Sequence, residues 1–309
     1  MSTKVFIDGK AGTTGLRIYE RLQARPDISL LLLSEEERKS PDARRRMLNE
    51  CDVAFLCLPD DASREAVSMV ENPNVVLIDT STAHRTQESW AYGFPELGEA
   101  FLDKIQHGRR IAVPGCHASG FIALVRPLID ANLISKDALL TCHSITGYSG
   151  GGKKMIAEYE GAERSALLDA PRQYGLTQQH KHLKEMVCIS GVEKAPVFCP
   201  IVSDFYSGMV VTVPLFREML NGTPDDIRQA YCNLYKGPVV SYRDAMDENG
   251  FVSANALSFK DSMEITVLGN DERILLVARY DNLGKGASGA AVECMNIALG
   301  IDPTTSLAL

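Results

Sequence analysis

Short, almost wholly apolar runs alternating with helical segments constrain this chain most. Val5–Asp8, Leu30–Leu33, Val53–Leu58 and Val75–Asp79 read as strands, and Ile111–Val113 as a short fifth. Helices are expected over Thr13–Ala24, Ser40–Asn49 and Asp61–Glu71, with Pro41 suited to a first helical turn. A strand that faces water on one side alternates polar with apolar residues; these do not. Strands apolar on both faces, each followed by a helix, predict a parallel sheet covered on both sides.

The pattern changes beyond residue 115. Longer strand-like runs appear at Ala138–Thr146, Met209–Leu215, Ser262–Leu268 and Ile274–Asp281, with one clear helix, Pro224–Tyr235, among them. The expected fold is α/β over residues 1–115 and α+β over 116–285, with the helix within 286–309 packing back on the first domain. A chain of 309 residues is long enough for two such domains. Its formal net charge of -8 argues against a nucleic-acid partner, which needs a basic face. No apolar run approaches the roughly 18 residues of a membrane span. The chain enters its first strand without a targeting segment, and its eight cysteines are scattered with no C-x-x-C pair. Free thiols in a reducing cytoplasm are therefore expected.

Gly9-Lys10-Ala11-Gly12-Thr13-Thr14-Gly15 lies between the first strand and the first helix. There the pyrophosphate of a dinucleotide meets a helix N-terminus. Gly12 lets the backbone approach phosphate, Gly15 lets helix pack on strand, and Thr13 and Thr14 offer hydroxyls. A Rossmann-type dinucleotide domain follows. Ser34, Arg38 and Lys39, at the second strand's end, favour NADP; Glu35 keeps NAD open. Cys57-Leu58-Pro59 and Ser81 close the third and fourth strands, at the edge where cofactor is expected. Arg85 is a candidate partner for an anionic substrate.

Pro114-Gly115-Cys116 sets a thiol at the opening of an apolar helix. Unpaired amides and the helix dipole favour thiolate there, and thiolate is the nucleophile. His117, adjacent in sequence, is expected to point elsewhere. His180 and His182 are the better candidates for acid–base work, and their spacing matches no metal site, so none is expected. A second glycine-rich loop, Thr146–Lys154, offers Ser149, Gly150 and Lys153 to a phosphate or carboxylate. Asn282 and Gly284 precede the last helix and are candidates for the nicotinamide end of the cofactor.

These segments, with Tyr92–Leu97, occur in an order that resembles the N-acetyl-gamma-glutamyl-phosphate reductase family in its shorter form. The longer form has Tyr-Pro-Thr after the cysteine, where this chain has His117-Ala118-Ser119. The resemblance implies NADPH-dependent reduction of an acyl phosphate in arginine biosynthesis, releasing inorganic phosphate, by a homo-oligomer. It implies Cys116 as nucleophile and places His180, and less firmly His182, in the catalytic histidine's motif. Two alternatives stay open: the same chemistry on another substrate, as in aspartate-semialdehyde dehydrogenase, and a non-catalytic NADP-binding sensor.

Overall fold

The computed structural model describes residues 2–309, which divide into two compact units, residues 2–115 with 287–307 and residues 116–286 with 308–309. The first unit begins β1 (Thr3–Asp8), α1 (Thr13–Leu22), β2 (Ile28–Leu31), α2 (Pro41–Glu50), β3 (Val53–Leu56), α3 (Asp60–Ser68) and β4 (Val76–Asp79). It continues with β5 (Ala91–Tyr92), α4 (Glu99–His107) and β6 (Arg110–Ala112). The sheet order is β2-β1-β3-β4-β6-β5, and every pairing is parallel.

Alternate strand residues supply two separate cores. Val5, Ile7, Val53, Phe55, Val76 and Ile78 pack with Ile18 and Leu22 of α1, whereas Phe6, Ala54, Leu56 and Leu77 pack with Leu48 of α2 and Ala66 of α3. The period of two in a pleated strand and the run of apolar residues thus both follow from covering two faces. Ser40 caps α2 by accepting from the Ala43 N–H at 3.3 Å, with Pro41 as the first helical residue. The sequence expectation missed β5 and α4. Two residues are too short for a periodicity, and α4 is amphipathic with only Ile105 buried.

The second unit runs α5 (Cys116–Asp130), β7 (Thr141–Gly147), α6 (Gly152–Glu160), β8 (Arg172–Gln173), α7 (His182–Ser190), β9 (Val197–Ser203) and β10 (Met209–Phe216). Then come α8 (Pro224–Leu234), β11 (Val240–Tyr242), β12 (Met263–Gly269) and β13 (Arg273–Tyr280). The seven strands are ordered β11-β12-β13-β10-β7-β9-β8 in a mixed sheet. Residues such as Ser144, Val211 and Tyr280 share one face of that sheet, where α5 packs; Ile145, Val197, Phe216 and Leu275 lie on the other and are exposed. The last helix, α9 (Gly289–Ala298), starts later than the glycine at 286 suggested. A wider helical turn, Gly284–Ser288, takes its place there. Residues of α9, among them Ala291, Val292 and Met295, are buried in the first unit's core.

Candidate active site

In the first unit, the glycine loop borders a cavity of about 620 Å3 at the carboxyl edge of the sheet. Gly9 has φ +86°, and a Cβ there would lie 2.2 Å from the Cys57 carbonyl oxygen. A Cβ on Gly15 would lie 2.6 Å from the Gly9 oxygen. Both glycines are therefore required by the fold itself. Gly12 differs: a Cβ there would make only an ordinary 3.4 Å contact with the Gly9 oxygen. Gly12 lines the cavity and precedes α1, so its missing side chain leaves room for an occupant. That cradle fits a dinucleotide pyrophosphate. Cys57, Leu58, Pro59, Glu35, Arg38 and Lys39 line the same cavity. Desolvation, with Asp79 and Asp8 nearby, pushes the Cys57 thiol up to about 12, so it stays protonated.

Arg44 also lines this cavity and was not anticipated. It pairs with Asp8 at 3.0 Å and with Glu65 at 3.2 Å. Burial raises the Asp8 carboxyl above its ordinary value even with Arg44 opposing. The sequence signal was Asp8 itself: an acid closing a buried strand calls for a counter-charge.

Several expected ligands in this unit are committed to its own architecture. Ser34 and Glu37 bond reciprocally, backbone N–H to side chain, each at 3.2 Å. Arg38, by contrast, forms only an exposed ion pair with Glu35. Asp79, fully buried, accepts from Ser63 Oγ at 2.8 Å, from Ser81 N–H at 3.0 Å and from Ser81 Oγ at 2.7 Å. His84 Nδ1 stands 2.6 Å from Asp79, and its ring stacks on Trp90 at 4.1 Å. Arg85 is buried and donates to the backbone oxygens of Val113 at 2.8 Å and Thr80 at 2.9 Å. Residues 79–85 therefore form a latch that fixes the loop after β4.

In the second unit, Cys116 is the first residue of α5 and half-buried. Its carbonyl accepts from the Tyr280 hydroxyl, and that hydroxyl accepts from the Gly120 N–H at 3.0 Å. His117 does not point away from the other histidines. Its ring centroid lies 5.9 Å from His180, 5.6 Å from His182 and 5.4 Å from Phe198. His117 Nδ1 is 2.6 Å from Ser144 Oγ, and Nε2 is 2.6 Å from the Tyr174 hydroxyl. Burial, with His180 and Lys181 nearby, lowers His117 to about 3, so it is neutral at physiological pH. The turn from α5 onto the helix-packed sheet face brings His117 into the cluster; sequence adjacency to Cys116 carries no such information.

His180 lies in the turn before α7, and His182 is that helix's first residue. Their rings are 4.9 Å apart. The His182 N–H donates to His180 Nδ1 at 3.3 Å, which assigns the His180 proton to Nε2 and leaves that atom as the donor. Burial first, and Lys181 second, lower His180 below its ordinary value, so it too is neutral at pH 7.

Ser149 is buried and accepts from Asn282 Nδ2 at 3.0 Å; Asn282 Oδ1 accepts from the Gly208 N–H at 2.9 Å. Gly150 abuts the same amide, and Lys153 is exposed in the first turn of α6. A Cβ on Gly284 would lie 1.9 Å from the Lys260 oxygen. Asn282 and Gly284 thus shape the second unit's loops. Among the described residues, no group of three or more His, Cys, Asp or Glu side chains is placed to hold a metal ion.

Residues 4–105 match the semialdehyde dehydrogenase NAD-binding domain, and residues 116–282 match the semialdehyde dehydrogenase dimerisation domain. N-acetyl-gamma-glutamyl-phosphate reductase of Trichormus variabilis is 45% identical over 96% of this chain and 97% of its own length. The enzyme of that name from Sinorhizobium medicae is also 45% identical, over 97% of this chain and 99% of its own. The chain belongs to the N-acetyl-gamma-glutamyl-phosphate reductase family. It is accordingly an oxidoreductase with a nicotinamide-dinucleotide domain. Among solved structures, aspartate semialdehyde dehydrogenase II of Vibrio cholerae, complexed with ASA, has a TM-score of 0.74 at 16% identity, covering 97% of this chain and 99% of that one. The Candida albicans aspartate semialdehyde dehydrogenase with NADP has a TM-score of 0.64 at 15% identity, covering 96% of this chain and 98% of that one. Both show the shared fold. No helix among the described residues is long and apolar enough to cross a membrane.

Proposed function

We propose that this chain reduces N-acetyl-gamma-glutamyl phosphate to N-acetylglutamate semialdehyde, with NADPH as reductant and Cys116 as covalent nucleophile, in arginine biosynthesis. The observation that carries the reading is Cys116 at the start of α5, its backbone held by Tyr280, beside a cluster of three imidazole rings.

The Cys116 thiolate attacks the acyl carbon; the carbon–oxygen bond to phosphorus breaks and inorganic phosphate leaves. The product is a thioester on Cys116. When bound, reduced nicotinamide would supply hydride to the thioester carbon, leaving a thiohemiacetal on Cys116. Collapse of the thiohemiacetal breaks the carbon–sulfur bond, releasing aldehyde and restoring the thiolate. His180, through Nε2–H, holds the proton at the carbonyl oxygen as negative charge develops there; His182 supports its tautomer through the backbone. Amides at the start of α5 reinforce the same oxygen. Ser149, Gly150 and Lys153 face the substrate's anionic groups. Gly9, Gly12, Thr13, Thr14 and Gly15 hold the cofactor's pyrophosphate, and Arg38 and Lys39 its 2′-phosphate. The Gly12 cradle and the cavity's basic edge support this cofactor choice.

The deciding assay is phosphate-dependent oxidation of N-acetylglutamate semialdehyde, with NADP and NAD side by side. No turnover with either sinks the substrate assignment; turnover of aspartate semialdehyde instead identifies the rival. The eight free cysteines fit a cytoplasmic enzyme. The exposed apolar sheet face with Ile145, Val197, Phe216 and Leu275 fits burial by a second copy. A single-chain mass by sedimentation would sink that part.

A further inference from the structure

We infer that Tyr280 is a positioning residue for Cys116: its hydroxyl bonds both backbone groups that close the first turn of α5. The inference rests on the reading of Cys116 as the nucleophile.

In a regular helix beginning at Cys116, the Gly120 N–H donates to the Cys116 oxygen. Here the Gly120 N–H donates to the Tyr280 hydroxyl at 3.0 Å, and the hydroxyl donates to the Cys116 oxygen. α5 is helical from Cys116 onward, so the hydroxyl joins that backbone pair as a shared partner and ties the turn to β13. The position leaves no slack. Tyr280 is fully buried, and a Cβ on Gly120 would lie 2.7 Å from its hydroxyl oxygen and 2.7 Å from Val211 Cγ2. A Cβ on Gly286 would lie 3.1 Å from Cys116 Cβ, so Cys116 is confined from a second side.

The hydroxyl itself is set by a rigid element. Tyr280 pairs with Met209 of β10 and with Met263 of β12, which places it on an interior strand. Burial, with Cys116 nearby, keeps the phenol protonated and therefore a donor. Its proton and its accepting lone pair are both engaged, so its contribution is geometric. Two residues on, Asn282 reaches Ser149. One strand end thus sets the nucleophile and, through Asn282, the Ser149 loop. Without the hydroxyl, the turn loses both bonds to β13, and the strand no longer sets where the sulfur stands. A misplacement of about 1 Å at a reacting atom costs on the order of 100-fold.

The test is Tyr280→Phe. The expected result is a kcat lower by about 30- to 100-fold with KM for both substrates within about threefold. Iodoacetamide labelling of Cys116, followed by peptide mass spectrometry across pH, should be at least about fivefold slower near pH 7 with its midpoint moved upward. Labelling needs no substrate, so a wrong substrate assignment does not disturb it. Wild-type-like kcat and labelling would overturn the inference. Gly120→Ala is the second test, since its Cβ would meet the Tyr280 hydroxyl at 2.7 Å and displace it. Labelling of Cys116 should slow at least about twofold, and unchanged labelling overturns the inference. Wild-type Cys116 labelling no faster than exposed Cys188 would defeat it together with the nucleophile reading.

Discussion

In the first unit a buried histidine, His84, meets the carboxylate of Asp79 and lies flat on Trp90. In the second, an equally buried histidine, His117, meets two hydroxyls and two further imidazoles. The first closes a latch; the second lies in the cluster proposed to handle the proton. The contrast extends to the units themselves. Around the first unit's cavity, the glycine loop's backbone is joined by the charged side chains of Glu35, Arg38, Lys39 and Arg44, while Ser81 and Arg85 hold the loop after β4. In the second unit, the groups proposed to do the chemistry are Cys116 and the imidazoles. Binding by backbone tolerates side-chain change wherever the loop keeps its shape; covalent catalysis does not.

The largest effect that would sharpen this contrast is Cys116→Ser. Turnover should fall at least about 1,000-fold while dinucleotide binding, read by fluorescence quenching, stays unchanged. Residual turnover near wild type would break it. Next, His180→Asn should lower kcat by about 100-fold or more, and His182→Asn by less, since His182 reaches His180 through its backbone N–H. Equal losses in steady-state kinetics would move the proton-handling role to the pair.

The glycine loop provides a matched pair. Gly12→Val should raise the Kd for NADP at least about tenfold with little change in Tm, because only an occupant meets the new side chain. Gly9→Ala should instead lower stability by about 3 kcal/mol, since its φ of +86° and the Cys57 oxygen at 2.2 Å both oppose a Cβ. The reverse pattern would show that Gly12 serves the fold.

The smallest effect concerns pH. His117 is lowered to about 3 in the folded chain, against an ordinary value near 6.5. The unfolded chain therefore takes up a proton between these values that the folded chain does not. The resulting stability is complete above about pH 6.5 and falls as pH drops toward 3, by about 2 kcal/mol at pH 5. Urea midpoints across pH should lose this slope in His117→Gln.

The parallel sheet was legible because two-sided burial leaves apolar strands, and the glycine loop because phosphate binding needs backbone. Cys116 was legible from Pro114-Gly115 before an apolar helix. His117 was not, since neighbours in sequence normally diverge, and only the packing of α5 on the second sheet brings its ring to His180. Arg85 read as a ligand because a sequence does not show that its donors meet the oxygens of Val113 and Thr80. The same limit hid Arg44, whose partner Asp8 is 36 positions away.

The first unit is closed by chain that is made after the second unit. Ala291, Val292 and Met295 of α9 lie in its core, and Asn296 accepts from buried Arg25 at 2.7 Å. On the ribosome, the first 115 residues emerge long before that helix exists. The dinucleotide sheet must wait with one face incompletely covered while the whole second unit is synthesised. The nascent chain therefore has a window of exposed apolar surface, longest when translation is slow, that the finished protein no longer shows.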